Sequence, residues 1–182
     1  MKLASVQLGR PRTVRWHGKA VSTGIYKEPV AGCIILHRFN LDGDEQADLT
    51  VHGGGDKAVY VYPAEHYPIW QAEFPDMRLP FGMFGEKFTT EGLNESSVHI
   101  GDRFRIGVAV VEVTQPRMPC YKLSIRFGRP DMPKRFHASG RCGFYLAVLH
   151  EGEVGAGDVW ERIARNDQEV SVIESYRQFF QE

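Results

Sequence analysis

The chain has 182 residues, of which 42% are hydrophobic and 25% charged, and its formal net charge is −1. This composition predicts one folded domain and excludes a disordered chain, because disorder goes with few aromatic residues and high net charge. The near-zero net charge also excludes a global basic field that would bind a nucleic acid polymer or an anionic membrane, and no apolar run approaches the roughly 20 residues of a membrane span.

Short segments separated by 19 glycines and 10 prolines predict a mainly β domain, either a barrel or a sandwich. Several segments alternate polar and apolar residues or are rich in Val and Ile, as half-buried strands are. The predicted strands are residues 3–8, 12–17, 20–26, 32–38, 58–62, 98–100, 103–114, 142–149 and 158–164. Turns are predicted at residues 9–11, 28–29, 42–44 and 152–157.

Helix signals are fewer. Residues 64–74 predict short helical pieces because a proline lies inside them, and residues 121–127 predict a short helix that Gly128 ends. A C-terminal helix is predicted from Asn166, with Glu169 completing a capping box. Its apolar stripe indicates packing against the core or against a second copy in a homodimer, and it consists of Val170, Ile173, Tyr176 and Phe180.

The three cysteines are widely spaced and form no CxxC pair, which argues against a disulfide framework or a structural zinc site. The beginning of the chain has no signal-peptide pattern, so we expect a reducing, cytoplasmic compartment. Cys33 lies in an apolar segment and Cys142 at the start of another, and both are predicted to be core residues.

A glycine-rich segment occupies residues 52–57, with His52 and Lys57 at its ends. Its glycines allow a ligand to approach the backbone closely, and its N–H groups and end residues could bind an anion. The segment does not fit the GxxxxGK[ST] phosphate loop, and the HGGG element of lipases would require a GxSxG motif that the chain lacks. A plain glycine turn between strands remains the alternative.

A second segment places Cys120 in a loop with two prolines, residues 115–123. The neighbouring Arg117 and Lys122, and the start of the following helix, would favour a thiolate that acts as nucleophile, redox centre or soft-metal ligand. Residues 116–141 hold seven basic residues and one acidic residue, which suits either an anion site or a solvated loop. The alternative for Cys120 is a small buried apolar residue.

Two weaker signals complete the set. Residues 82–93 combine glycine bends with adjacent threonines, which suits a pocket wall or, more simply, a strand and turn. Lys27 follows a turn and is a further candidate anion contact.

Five segments, in order along residues 20–160, carry a family resemblance: TGIYKEPV, DGDEQADLTVHGGGDKAVYVYPAEHYPIW, FGEKFTTEGLNESSVHIGDRFRIG, VEVTQPRMPCYKLSIRFG and GRCGFYLAVLHEGEVGAGD. Together they resemble the MOSC domain family, in particular its bacterial YiiM-like branch. The resemblance implies a strand-rich, barrel-like domain over residues 1–164 with a few short helices, followed by a C-terminal helix in residues 165–182.

The resemblance also implies a function. Relatives in this family hold a molybdenum cofactor (molybdopterin) through a cysteine and reduce N-hydroxylated compounds such as hydroxylaminopurines and amidoximes. By position, Cys120 is then the metal ligand and catalytic residue, with Arg117 and Lys122 as its electrostatic surroundings. The residues expected to hold the pterin or its phosphate are Lys27, His52, Gly53, Gly54 and Lys57. His52 is also a candidate proton donor.

The sequence departs from the family pattern at Gly55, where a proline is usual, and at Lys87, where an asparagine is usual. The helical segment that longer relatives carry at their C-terminus is absent or abbreviated here. Because no GxGxxG fingerprint is present, the electron donor is expected to be a separate protein. Two other functions remain open: sulfur transfer through a Cys120 persulfide, and a cofactor carrier without turnover.

Overall fold

The computed structural model describes residues 1–45 and 54–180, which contain twelve strands and four α-helices. The strands are β1 (Lys2–Leu8), β2 (Arg12–Trp16), β3 (Lys19–Thr23), β4 (Glu28–Val30), β5 (Cys33–Leu36), β6 (Val59–Pro63), β7 (Phe88–Glu91), β8 (Arg103–Ile106), β9 (Ala109–Pro116), β10 (Phe144–His150), β11 (Gly152–Gly155) and β12 (Trp160–Ala164). The helices are α1 (Tyr67–Glu73), α2 (Lys122–Phe127), α3 (Met132–Ser139) and α4 (Val172–Gln178). Short 3-10 turns occupy Gly55–Lys57 and Ala64–His66.

Eight strands form one mixed sheet in the order β12-β8-β9-β10-β6-β7-β1-β4. Neighbouring strands are antiparallel except for β6 and β7, which run parallel. Two small antiparallel pairs, β11 with β5 and β2 with β3, lie outside this sheet. The prediction of a strand-rich domain with few helices is confirmed.

The large sheet curls so that β1, the strand next to the β4 edge, meets the residues just before β12 at the other edge. Lys2 in β1 forms a bridge with Val159, which precedes β12. The amide of Leu3 donates to the carbonyl of Asp158 at 2.8 Å, and the amide of Trp160 donates to the carbonyl of Met1 at 3.1 Å. Because this seam is a single bridge with flanking hydrogen bonds and not a continuous ladder, full closure into a barrel stays a prediction.

The central strand β6 separates two layers of the core. Alternating residues of a strand face opposite sides of the sheet, so Val59 and Val61 face one layer while Tyr60 and Tyr62 face the other. In the second layer, the ring of Tyr62 stacks on that of Phe84 with 4.4 Å between centroids. Helices α1, α2 and α3 close this layer with Trp70, Phe74, Phe127 and Phe136. The helices thus cover the aromatic face of the sheet.

Several strand predictions need correction. Residues 103–114 form two strands because Gly107, with a φ of 58°, turns the chain between β8 and β9. Residues 98–100 form a turn in which only His99 makes an isolated bridge. The predicted turns at residues 28–29 and 152–157 contain β4 and β11, since each of these short strands finds a partner strand that is distant in sequence.

The helix predictions are partly confirmed. Helix α1 and the 3-10 turn before it occupy residues 64–73, and α2 ends at Gly128, whose φ of 63° is left-handed. Helix α3 was not predicted. The C-terminal helix begins at Ser171 and not at Asn166, because the amide of Ser171 donates to the Glu174 carboxylate at 2.9 Å and the Ser171 hydroxyl accepts from the Glu174 amide.

Cysteine burial is predicted correctly for one of two residues. Cys142 is fully buried, whereas Cys33 is exposed in the short β5–β11 pair. In the C-terminal stripe, Tyr176 is buried and Phe180 is exposed. Helix α4 packs on β9, and the division of the chain at residue 165 stays a prediction. None of the helices in residues 1–45 and 54–180 is long and apolar enough to cross a membrane.

Candidate functional site

The loop that carries Cys120 leaves the sheet at the end of β9. The amide of Arg117 donates to the carbonyl of Gly143 at 3.4 Å, which holds the loop beside the start of β10. The carbonyl of Cys120 then accepts from the amide of Leu123 at 3.0 Å as the chain enters α2. Cys120 is half-buried, unlike the buried Cys142. With six residues, α2 supplies only a weak dipole, so the expected support from a helix N-terminus is small.

Arg117 lies buried beside this thiol. Its guanidinium carbon is 4.8 Å from the ring centroid of Tyr60 and 5.1 Å from that of Phe136. Its Nη1 atom is buried and has no hydrogen-bond partner. Burial works to lower the pKa of Arg117, but Tyr60, Cys120 and Tyr145 raise it, and the net direction is upward. A guanidinium that stays charged at this position stabilises negative charge on the neighbouring sulfur.

Two tyrosines complete the surroundings of Arg117. Tyr60 and Tyr145 pair across β6 and β10, and their ring centroids are 5.4 Å apart. Burial raises the pKa of both phenols while Arg117 opposes the rise, so both are protonated hydrogen-bond donors near neutral pH. The Tyr60 hydroxyl donates to the carbonyl of Cys142 at 2.9 Å. Tyr145 is half-buried and adjoins Arg117, which makes its hydroxyl the nearer candidate for contact with a ligand.

Tyr145 was not predicted as a site residue, although the sequence contains a signal for it. Tyr60 and Tyr145 lie in two predicted strands, and antiparallel pairing of those strands would place their side chains on one face. Glu95 was not predicted either. It is buried and accepts from the amide of Gly143 at 2.7 Å and from His66 Nε2 at 2.8 Å. Glu95 fixes the backbone of Gly143, on which the Cys120 loop rests. A buried carboxylate of this kind has no local sequence signature.

Lys27 lies in a buried ion-pair network. Its ammonium group is buried, forms an ion pair with Asp44, and donates to the carbonyls of Gly9 at 3.2 Å and Glu45 at 3.4 Å. Burial lowers the pKa of Lys27, and Asp44 opposes this. All of these contacts are to protein oxygens, and the cofactor contact of Lys27 stays a prediction.

Lys87 joins the same carboxylate. Its Nζ atom lies 3.3 Å from Asp44 Oδ2 and donates to Asn40 Oδ1 at 2.5 Å and to the carbonyl of Ala58 at 2.7 Å. Burial lowers the pKa of Lys87 to about 8, with Asp44 opposing and Lys27 adding to the shift. Lys87, which replaces the usual asparagine, thus belongs to a structural network around Asp44.

The neighbouring Glu86 is also structural. It is buried, accepts from the amides of Gly82 at 2.7 Å and Phe84 at 3.1 Å, and accepts from the hydroxyl of Tyr67. Burial raises its pKa, and these donors oppose the rise. The segment from residue 82 therefore forms a tied turn and strand, which was the simpler of its two interpretations.

The glycine-rich segment is described in part. His52 and Gly53 lie outside the described residues, so their predicted roles remain predictions. Gly54 is exposed with a φ of 87°, and Lys57 is half-buried at the end of the following 3-10 turn. The Thr114 hydroxyl donates to the carbonyl of Asp56 at 2.6 Å, which places this turn beside the end of β9 that leads to Cys120. Lys122 is half-buried in the first position of α2.

The structure thus brings Arg117, Cys120 and Tyr145 together, with the turn at residues 54–57 on the adjoining strand ends. It directs Lys27 away into a separate ion-pair network. A half-buried thiol beside a buried, permanently charged guanidinium can act as a nucleophile or as a soft-metal ligand.

Comparison with known proteins shows which family the chain resembles. The MOSC domain family model matches residues 48–161. The chain is 48% identical to the uncharacterized protein YflK of Bacillus subtilis over 168 residues, which cover 92% of this chain and 76% of YflK. It is 42% identical to protein YiiM of Escherichia coli over 145 residues, which cover 79% of this chain and 65% of YiiM.

A fungal relative bears a functional name. The chain is 35% identical over 179 residues to a protein of Gibberella moniliformis named "Reductase", of which it spans 31%. Among solved structures, the crystal structure of YiiM from Geobacillus stearothermophilus superposes with a TM-score of 0.82 at 32% identity, covering 98% of this chain and 83% of that one. The sequence matches and the structural match therefore point to the same family.

Proposed function

The chain belongs to the MOSC domain family, and from this premise we propose that it binds a molybdenum cofactor (molybdopterin) and reduces small N-hydroxylated compounds, with Cys120 as the metal ligand. MOSC domains are generally associated with this cofactor, and one relative is named a reductase. The observation that carries the proposal is the half-buried Cys120 thiol beside the buried Arg117 guanidinium.

The residues present fit such a group. A thiolate is the soft donor that suits a metal already bound to sulfur. The Nη1 atom of Arg117 is buried and lacks an acceptor, and a buried donor in this state costs free energy unless a partner completes it. An anionic cofactor held at Cys120 would supply acceptors to that donor. The fit of the cofactor to this site therefore depends on the Cys120 thiol and on the unpartnered Nη1 atom of Arg117.

The remaining roles follow from the surrounding side chains. The bound cofactor would supply the two-electron reduction of an N–O bond, which no protein side chain here can supply. Arg117 would hold negative charge at the site and keep Cys120 ionised, while the Tyr145 hydroxyl would donate a hydrogen bond or proton to the reacting substrate. Lys57 and Lys122 would contact the cofactor at the rim, with Gly53 and Gly54 giving the backbone room to approach, and His52 is retained as a second candidate proton donor.

The reaction would also require partners. A separate redox protein would deliver the electrons, and a small molecule rather than a nucleic acid polymer or a membrane would be the substrate. A cytoplasmic location and a homodimer formed through the exposed end of α4 belong to the same proposal. Sulfur transfer through a Cys120 persulfide and a carrier role without turnover are the competing functions.

The deciding experiment measures molybdenum per chain after expression in a host that makes the cofactor. We expect near-stoichiometric metal in the wild type and its loss in Cys120→Ala. The exposed cysteine offers a matched control, because Cys33→Ala removes a thiol without touching the site and should keep the metal. Equal metal in the wild type and in Cys120→Ala would contradict the proposed ligand.

Two further measurements separate the competing functions. Turnover of an amidoxime with an artificial electron donor distinguishes the reductase from a carrier that binds metal without activity. If cofactor reconstitution fails, the metal-free protein is treated with a persulfide donor. Transfer of sulfane sulfur from that donor to Cys120 would favour the sulfur-transfer function. In the same series, unchanged turnover and metal content in His52→Ala would remove His52 from the mechanism.

A further inference from the structure

Two arginines meet on the aromatic ring of Tyr26. The guanidinium carbon of Arg12, in β2, lies 3.4 Å from the ring centroid of Tyr26, and that of Arg126, in α2, lies 4.8 Å from the same centroid. The two carbons are therefore no further apart than about 8 Å, the sum of these distances. Two positive charges are held close together around a single side chain.

Neither arginine forms an ion pair within the described part of the chain. No carboxylate in residues 1–45 and 54–180 forms an ion pair with Arg12 or Arg126. The Nε atom of Arg126 is buried without a hydrogen-bond acceptor. Residues 1–27 contain no Asp or Glu, so the hairpin that carries Arg12 is wholly basic. A buried donor and a pair of repelling cations both point to a missing anion.

The platform under these arginines is held firmly in place. A side-chain Cβ at Gly9 would lie 2.1 Å from the carbonyl oxygen of Tyr26, and one at Gly82 would lie 2.5 Å from the carbonyl oxygen of Lys27. Only glycine permits two other segments to pack so closely on this stretch of backbone. Tyr26 is therefore fixed before any ligand arrives, and a preorganised site loses less entropy on binding.

We propose that Arg12 and Arg126 form a binding site for a phosphate-class oxyanion, either free phosphate or the terminal phosphate of a monoester. Planar guanidinium groups match tetrahedral oxyanions through paired hydrogen bonds of about 2.8 Å. One such anion between two guanidiniums would keep their carbons within the span available here. It would also give the buried Arg126 Nε its acceptor and cancel the repulsion between the two side chains.

The proposal does not depend on the molybdenum chemistry, since neither arginine was assigned a role there. The test therefore uses the metal-free full chain. Binding of inorganic phosphate, of AMP and of adenosine is measured by isothermal titration at constant ionic strength, so that general screening is the same in every sample.

Three variants separate the site from general surface charge. Arg12→Ala lies on an exposed strand and should fold normally, and Arg126→Lys keeps the charge but loses the planar fork. Both should weaken phosphate binding by about tenfold to a hundredfold, the range for charge-assisted hydrogen bonds. Arg15→Ala is the matched control, because Arg15 is an exposed arginine three positions further along the same strand, and it should bind as the wild type does.

The ligands identify the source of the oxyanion. AMP binding more tightly than both phosphate and adenosine would indicate a nucleotide monoester, and equal binding of AMP and phosphate would indicate a free oxyanion. No phosphate or AMP binding by the wild type would overturn the proposal. So would an Arg15→Ala variant that loses as much affinity as Arg12→Ala, since that result would show non-specific ion attraction only.

Discussion

The molecule buries cations in two places and treats them in opposite ways. Lys27 and Lys87 share the carboxylate of Asp44, and every polar contact described for their ammonium groups is to a protein oxygen. Arg117 lies among aromatic rings, and no carboxylate in residues 1–45 or 54–180 is within ion-pair distance of it. We call the first arrangement the closed network, since both of its cations are paired with a protein carboxylate, whereas the Nη1 atom of Arg117 has no hydrogen-bond partner among the described residues.

The two regions differ in whether a buried cation is paired with a protein carboxylate. A buried charge is costly unless it is paired, so a protein that keeps one unpaired retains it for a purpose other than stability. The closed lysine network joins the segments around residues 9, 27, 44 and 87. The open arginine is next to the only half-buried thiol among the three cysteines. The two regions should therefore respond differently when their charges are changed.

The largest effect is expected at the closed network. Asp44→Asn removes the shared anion and leaves two buried ammonium groups uncompensated, so we expect the free energy of unfolding to fall by about 3–5 kcal/mol. Urea denaturation measures this loss. The exposed ion pair between Lys2 and Glu91, with a 3.0 Å separation, supplies the control, because Glu91→Gln should cost only about 0–1 kcal/mol. A loss at Asp44 no larger than the control would remove the distinction between the two regions.

Local features of the two regions could be predicted from the sequence, whereas long-range contacts could not. Cys120, Arg117 and the end of α2 at Gly128 could be predicted, because a proline loop, adjacent charges and a left-handed glycine are local features. The ion pair of Lys27 could not be predicted, because its partner Asp44 lies 17 positions away and only the fold brings the two together. A sequence motif cannot show whether a lysine is already neutralised.

Other differences have the same origin. Asn166 and Ser171 both offer capping side chains with an acidic residue three positions on, and the choice between them depends on tertiary contacts. The side-chain oxygen of Asn166 accepts from the amide of Gln168 at 3.3 Å, but a turn and not a helix follows it. Cys33 was assigned to the core because its segment is apolar, yet the two-stranded pair that contains it leaves one face open to solvent. Long-range partners decide each of these cases.

A smaller effect is expected from the titration of the closed network. The pKa of Lys87 is lowered by burial from 10.5 to about 8, so between these values the folded protein has released a proton that the unfolded chain still binds. Stability rises with pH wherever the unfolded state binds more protons. Lys87 should therefore add at most about 1.4 kcal/mol of stability for each pH unit in this window.

The Lys87 contribution is isolated by comparing two proteins. The buried tyrosines have raised pKa values and lower the stability at high pH in any variant, so their effect cancels in the difference between the wild type and Lys87→Met. The free energy of unfolding of the wild type minus that of Lys87→Met, measured by denaturation from about pH 7 to 10, should increase as the pH rises through 8. A difference that stays constant with pH would mean that Lys87 keeps its proton and that the network is more polar than its burial indicates.

The smallest change in stability, and the sharpest test of the contrast, is expected at Arg117. Arg117→Met replaces an unpaired buried cation by an apolar chain between the rings of Tyr60 and Phe136, and it leaves no carboxylate uncompensated. We therefore expect the free energy of unfolding to change by no more than about 1 kcal/mol. The reactivity of the neighbouring thiol should fall by about tenfold, because a nearby cation favours the thiolate.

Alkylation of Cys120 by iodoacetamide, followed by mass spectrometry in the metal-free protein, measures this change. Lys122→Met is the matched control, since Lys122 is two positions from Cys120 and half-buried, but the positive charge that acts on the thiol is assigned to Arg117. An equal decrease in both variants would spread the electrostatic effect over the whole basic loop. A large stability loss in Arg117→Met without a change in alkylation would make Arg117 a structural cation like the two lysines, and the orphaned Nη1 would then no longer mark a ligand site.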